Sequence, residues 1–346
     1  MNPIKYMSPY LFPLFIVSMI GLGVFDFFWL VIIGILGFSF LDISSTESSL
    51  IKDKGNPVAF RLVLWGYVPL HLAMIAASLY AFHSVELGFI NSYFLILGTG
   101  LVVGTFGITV AHELLHMGKS DRTLSSLLLL SMNYGQYRVQ HLHIHHVWAA
   151  TPKDPGSAAY GVSLYQFLPR AIIKGFTDSW SFEKERVKRF KGLARVFRNR
   201  MITMSILGIV VNIIILLSFD LLTLLAFIGI SLVSLLSGEI TAYVQHYGLV
   251  RRELRNGQYE PMTPKFSWNS YGRYSNYFMM NMQRHGDHHS NPKKAYQSLA
   301  CHENVPMLPF SNPIMVIIAM FPSLWFKIMN PRVQDAMNNL DTDSGI

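Results

Sequence analysis

Ten histidines in this chain sit where they could bind metal, and they fall into four groups. The first is His112-Glu113-Leu114-Leu115-His116. On a helix, positions i and i+4 lie one above the other on the same face, so two imidazoles can reach one ion or a close pair of ions. That spacing alone also fits a zinc protease helix. Three further groups make it specific. The second is Gln140-His141-Leu142-His143-Ile144-His145-His146, followed by Ala150-Thr151-Pro152-Lys153-Asp154-Pro155. The third is Gln245-His246-Tyr247-Gly248, and the fourth is Gln283-Arg284-His285-Gly286-Asp287-His288-His289. Twice, a His is followed three or four positions later by a His pair. Neighbouring residues on a helix point ~100° apart, so each pair can serve two different ions. Neutral imidazole suits iron, zinc, copper and nickel, and softness does not choose among them.

His143 lies two positions from both His141 and His145, so on a helix it faces away from them. His71, His83 and His302 stand outside the groups. Four carboxylates lie nearby: Glu113, Asp154, Glu239 and Asp287. Metal-bound imidazoles donate their second N–H to such partners, and that is the role expected of all four. Glu239 falls inside an apolar run, where a carboxylate faces the bundle interior and needs a partner.

The elements that carry these groups are apolar helices. Of 346 residues, 51% are hydrophobic and 14% are charged, against ~25% charged in an ordinary soluble domain. Six runs approach the ~20 residues a spanning helix needs: 10–25, 27–41, 62–82, 89–110, 201–219 and 221–243. If the N-terminus is cytoplasmic, the outer connections at Asp26, 83–88 and 218–220 contain no Lys or Arg. All 28 basic residues then lie at or beyond the other ends, the positive-inside pattern. The expected architecture is all-α, one membrane-integrated domain over 1–346. Six transmembrane helices carry a cytoplasmic, histidine-lined dimetal cap built from 111–200 and 244–346. The N-terminal MNPIKYMSPY lacks the features of a cleaved leader and reads as mature sequence.

Other stretches give further expectations. The segment 163–182 mixes aromatics with sparse charge and reads as interfacial. The next, 183–200, reads as a basic helix with Phe190, Leu193, Val196 and Phe197 on one side. It suits anionic headgroups or an acidic electron donor. Run 307–326 is broken by Pro309, Pro313 and Pro322 and reads as re-entrant or interfacial. The tail after Pro331 reads as loosely ordered. Gly98, Gly100, Gly104 and Gly107 mimic a dinucleotide fingerprint but lie within an apolar run, where they suit close helix packing. The net charge of +8 comes with no nucleic-acid motif, so the membrane is the expected partner and nucleic acid is not. Cys301 is the single cysteine, which excludes an internal disulfide and a cysteine-held iron–sulfur cluster.

HELLH, His141 with His145-His146 and ATPKDP, QHYG, and QRHGDHH with NPKKAYQ together resemble the boxes of the integral-membrane non-haem diiron hydroxylases. The resemblance is nearest to the alkane 1-monooxygenase branch, which includes xylene-type methyl hydroxylases, within the wider desaturase and hydroxylase superfamily. It covers about 105–300. It implies two non-haem irons held by His112, His116, His141, His145, His146, His246, His285, His288 and His289, with O2 as co-substrate. It also implies a hydrophobic substrate, most simply a medium-chain n-alkane taken to its 1-alcohol in a bacterial inner membrane. A rubredoxin-like or ferredoxin-like donor and its reductase supply the electrons. Gln140, Gln245 and Met117 depart from the branch, which has Glu, Glu and Lys there. Substrate-binding residues are not assigned. Phe278, Met279, Met280 and Met282 are candidates for the wall of an apolar channel. Desaturation or aromatic-methyl hydroxylation on the same scaffold, and metal transport without catalysis, are the alternatives. A transporter would place its histidines near the midplane, not past the helix ends.

Overall fold

The structure, a computed structural model, describes residues 2–44 and 56–343. Helices α1 (Leu11–Gly21), α2 (Phe28–Phe40), α3 (Pro57–Ser84) and α4 (Gly88–His116) form the first half of the membrane bundle. Then come α5 (Lys119–Leu130) and α6, made of Tyr137–Gln140, a π turn at His141–His145, and His146–Trp148. Helices α7 (Leu164–Arg186) and α8 (Gly192–Phe197) lead into α9 (Arg200–Ser218) and α10 (Leu221–His246). The chain closes with α11 (Arg273–Phe278), α12 (His285–Ser290), α13 (Asn312–Ala319) and α14 (Pro322–Asp343). Among the described residues there is no strand, only two isolated bridges.

Five segments are long and apolar enough to cross a membrane: Pro3–Gly21, α3, α4, α9 and α10. The expected second span, 27–41, is a correction. Helix α2 has 13 residues, about 20 Å at ~1.5 Å per residue, which is short of a ~30 Å hydrocarbon core. The first span also starts earlier than expected, in a 3-10 helix at Pro3–Tyr10. The long helices begin on side-chain caps. Asn56 accepts from Val58 N, Asn199 from Ile202 N and Asp220 from Thr223 N.

The glycine face packs as its spacing suggests. A Cβ on Gly100 would stand 2.6 Å from Val233 Cβ, and one on Gly104 2.7 Å from Ser237 Cβ, both on α10. The hydrogens at these positions let α4 and α10 approach, and that contact fixes the two helix ends that carry His112, His116 and His246.

Two stretches differ from expectation. The basic segment is not one helix: α7 ends at Arg186, and the chain turns before α8, with Gly192 at φ +54°. The tail is not loose either. Helix α14 continues through Pro331 to Asp343, because Trp325, Met329 and Val333 bury themselves in a second apolar core with Tyr243, Tyr247 and Phe167. The 307–326 run breaks into α13 and the start of α14, with Pro313 and Pro322 at helix starts, where the missing N–H costs nothing.

Candidate metal centre

Four helix segments converge at one end of the bundle. The last turns of α4 bring His112 and His116, and the last residue of α10 is His246. Segment α6 brings His141, His145 and His146, and α12 brings His285, His288 and His289. The nine rings form two groups. His112, His116, His141, His146 and His288 make one, and His145, His246, His285 and His289 make the other. Within each group the nitrogens lie within 4.8 Å of one another. Adjacent histidines part company, one to each group, as their angular separation on a helix allows.

Inside each group, ring nitrogens face ring nitrogens. His141 Nε2 is 3.0 Å from His116 Nε2 and 2.9 Å from His146 Nε2, and His288 Nε2 is 3.2 Å from His146 Nε2. In the other group, His285 Nε2 is 3.0 Å from both His246 Nε2 and His289 Nε2. Burial first, then the neighbouring imidazoles, hold His141, His146, His288 and His289 well below the usual histidine range, and His285 falls to about 3. These rings are therefore neutral, the form that donates a lone pair to a metal. Both ring nitrogens of His112 have no hydrogen-bond partner, nor do the Nδ1 atoms of His146, His246, His285, His288 and His289. Unpartnered buried nitrogens are costly, and converging lone pairs repel. A cation within each group removes that repulsion, so the donor set fits two nitrogen-ligated ions.

Of the four carboxylates, only Asp154 orients a ring. Its Oδ2 is 2.9 Å from His145 Nδ1, and Ser157 Oγ and Gly156 N donate to the same carboxylate at 2.7 and 3.1 Å. The other three are corrections. Glu113 accepts from Tyr296 N at 3.1 Å. Glu239 accepts from the Tyr134 hydroxyl, with Gln140 Nε2 at 3.4 Å. Asp287 binds Lys294 Nζ at 2.6 Å, Ala300 N at 2.7 Å and His302 Nε2 at 2.9 Å. Their side chains leave the helix on faces turned from the rings, so they brace the segments that present histidines.

His143 does face away. It stacks on Phe182 at 4.7 Å, and its Nε2 is 2.8 Å from Arg200 Nη1. Arg200 in turn holds Glu183, with Nε to Oε1 and backbone N to Oε2 both at 2.8 Å. Burial raises the Glu183 carboxyl, but bonds from Arg186 and Arg200 outweigh it and bring it down to about 2. Sequence reasoning missed Tyr137, which stacks on His141 at 4.9 Å and 13°. Its position one turn before His141 was the available signal. It also missed Asn281, which at φ +55° follows Met280 at φ +48° and bonds Tyr6 Oη and Tyr296 O, reversing the chain into α12.

A cavity of about 100 Å³ reaches His112, His141, His145 and His285 from between α4 and α10, with a mainly apolar wall that includes Ile108 and Met279. Met282 also lines it. Phe278 lines a smaller adjoining cavity that shares Thr105 and Met279 with the first. Met280 lines neither and packs in the core.

Comparison with known proteins agrees with this geometry. The sequence model of the family described as Fatty acid desaturase matches residues 88–312. Alkane 1-monooxygenase 2 of Pseudomonas aeruginosa is 38% identical over 83% of this chain and 77% of its own length. Alkane 1-monooxygenase 2 of Alcanivorax borkumensis is 35% identical over 84% and 76%. The xylene/toluene monooxygenase hydroxylase component of Pseudomonas putida is more distant, at 24% over 69% and 64%. This chain is a multi-pass membrane oxidoreductase, and it belongs to the alkane 1-monooxygenase family on the fatty acid desaturase scaffold.

Proposed function

We propose that this protein hydroxylates the terminal methyl group of a medium-chain n-alkane to the 1-alcohol, at two irons held by the nine grouped histidines. One observation carries the reading: five plus four neutral imidazoles close the end of an apolar cavity between spanning helices. When bound, the irons supply O2 activation, in which RH, O2, two electrons and two protons give ROH and water.

The chain's own residues do the rest. Ile108, Met279 and Met282 present an apolar wall that admits a hydrocarbon and excludes water. Asp154 fixes the tautomer of His145, leaving Nε2 to face its group. Tyr137 holds the plane of His141. Held geometry of this kind lowers a barrier by preorganisation. The electrons come from another polypeptide, because Cys301 is the single thiol. A rubredoxin-like or ferredoxin-like donor with its reductase fits. The basic segments argue that the histidine side is cytoplasmic, in a bacterial inner membrane.

The test is anaerobic reduction with a redox protein, then admission of O2 and octane, with products read by mass spectrometry. 1-Octanol carrying one atom of labelled O2 is expected. An alkene, or alcohol labelled from water, would sink the proposal. Metal analysis should find two irons per chain.

A further inference from the structure

Between the ends of α7 and α9 lies a second, unrelated cavity of about 360 Å³, lined by Trp180, Lys184, Arg195, Val196, Asn199 and Ile202. Two of these side chains are exposed cations. Most other basic groups of this stretch are engaged. Arg186 and Arg200 hold Glu183, Lys188 meets Glu185, and Arg189 and Arg198 lie over the Phe190 ring. Among the described residues, no carboxylate lies within ion-pair distance of Lys184 or Arg195. Two cations therefore face one cavity with no anion to answer them.

The cavity opens onto an apolar track. Ile202 lies at its floor, and Ile206, Ile209 and Ile213 follow at helical spacing down the outside of α9. They are 53%, 59% and 48% exposed, on a segment long and apolar enough to span the bilayer. On the rim, α8 exposes Leu193 and Phe197 at 73% and 78%. Trp180 sits at the junction, the level where amphipathic rings collect in membranes. Cations above, an indole at the boundary and a stripe of isoleucines below match one ligand chemistry.

We propose that this cavity binds the headgroup of an anionic phospholipid, with Lys184 and Arg195 on the phosphate and an acyl chain along the α9 isoleucines. A soluble anion would use the cations but not the stripe. A zwitterionic lipid would use the stripe but bring no net charge to the cations. The site is one residue from the Glu183–Arg200 pair that holds His143, so it lies beside the segment that carries the second histidine group.

The test does not depend on turnover. The full-length protein is placed in nanodiscs containing either an acyl-brominated phosphatidylglycerol or an acyl-brominated phosphatidylcholine at low mole fraction. Quenching of Trp180 is read as the difference from Trp180→Phe, which removes the background of the other tryptophans. Brominated phosphatidylglycerol should quench at roughly tenfold lower mole fraction than the choline lipid. The doubly exposed variant Lys184→Gln/Arg195→Gln should erase that preference, and Lys184→Arg/Arg195→Lys should keep it. Equal quenching by both lipids in the parent protein would overturn the proposal, as would a preference that survives the Gln variant. Displacement of the brominated lipid by soluble glycerol phosphate would reassign the cavity to a free anion and overturn it too.

Discussion

The two histidine groups are built differently. All four rings of the His145, His246, His285 and His289 group are buried, and one of them is oriented by a carboxylate. In the five-ring group, His116 and His146 are half-buried, and among the described residues no carboxylate touches a ring. Its order comes from packing, above all the Tyr137 stack on His141. One group is closed and electrostatically anchored. The other has more ligands, a wetter edge and softer restraint. Redundant ligation offsets exposure on one side, and enclosure offsets a smaller ligand set on the other.

That contrast can be broken by experiment. Deleting a ring should hurt the four-ring group most. His285→Ala leaves three imidazoles there, and metal content should fall from two ions per chain toward one, with product formation abolished. His116→Ala leaves four rings in its group and should retain more metal, as elemental analysis of purified protein would reveal. Equal loss in both variants would dissolve the distinction. Asp154→Asn comes next. It cannot anchor His145 in the same way, and metal affinity should drop by about 10–100-fold at one site only. Glu113→Gln, which touches no ring, should leave metal titrations unchanged.

Chelation gives a smaller, kinetic effect. Removal of metal by a hydrophilic chelator should be biphasic, the half-buried group emptying first. A single phase would mean the two sites share one fate. The least change is expected with pH around the Glu183 pair beside α6. Its carboxyl lies at about 2 in the fold against an ordinary 4.5. A depressed carboxyl stabilises the fold fully above its unfolded value and loses that contribution as pH falls through its folded value. Between pH 8 and 6 the parent and Glu183→Gln should therefore show a constant difference in thermal midpoint. Below about pH 4.5 the difference should shrink.

How much of this was legible beforehand follows from what periodicity encodes. The nine rings could be picked out because i, i+3 and i+4 spacings on helix ends survive folding almost unchanged. The glycine face of α4 was legible for the same reason. The partners of Glu113, Glu239 and Asp287 were not, since proximity in sequence does not say which way a side chain leaves its helix. The order beyond Pro331 was also hidden, because it depends on Tyr243 and Tyr247, about ninety residues upstream, offering a surface for Trp325. The break at Gly192 needed only one residue to be read as a turn, and a run of favourable helix formers around it masked that.

The wide turn at His141–His145 has a consequence of its own. A π turn is an α turn holding one surplus residue, and here it acts as a phase shifter. Excising His143, which belongs to neither cluster, should let the segment relax to ordinary pitch. Every later side chain would then rotate by ~100° about the axis. A deletion that removes no coordinating atom would thus uncouple His145 and His146 from their respective cages together.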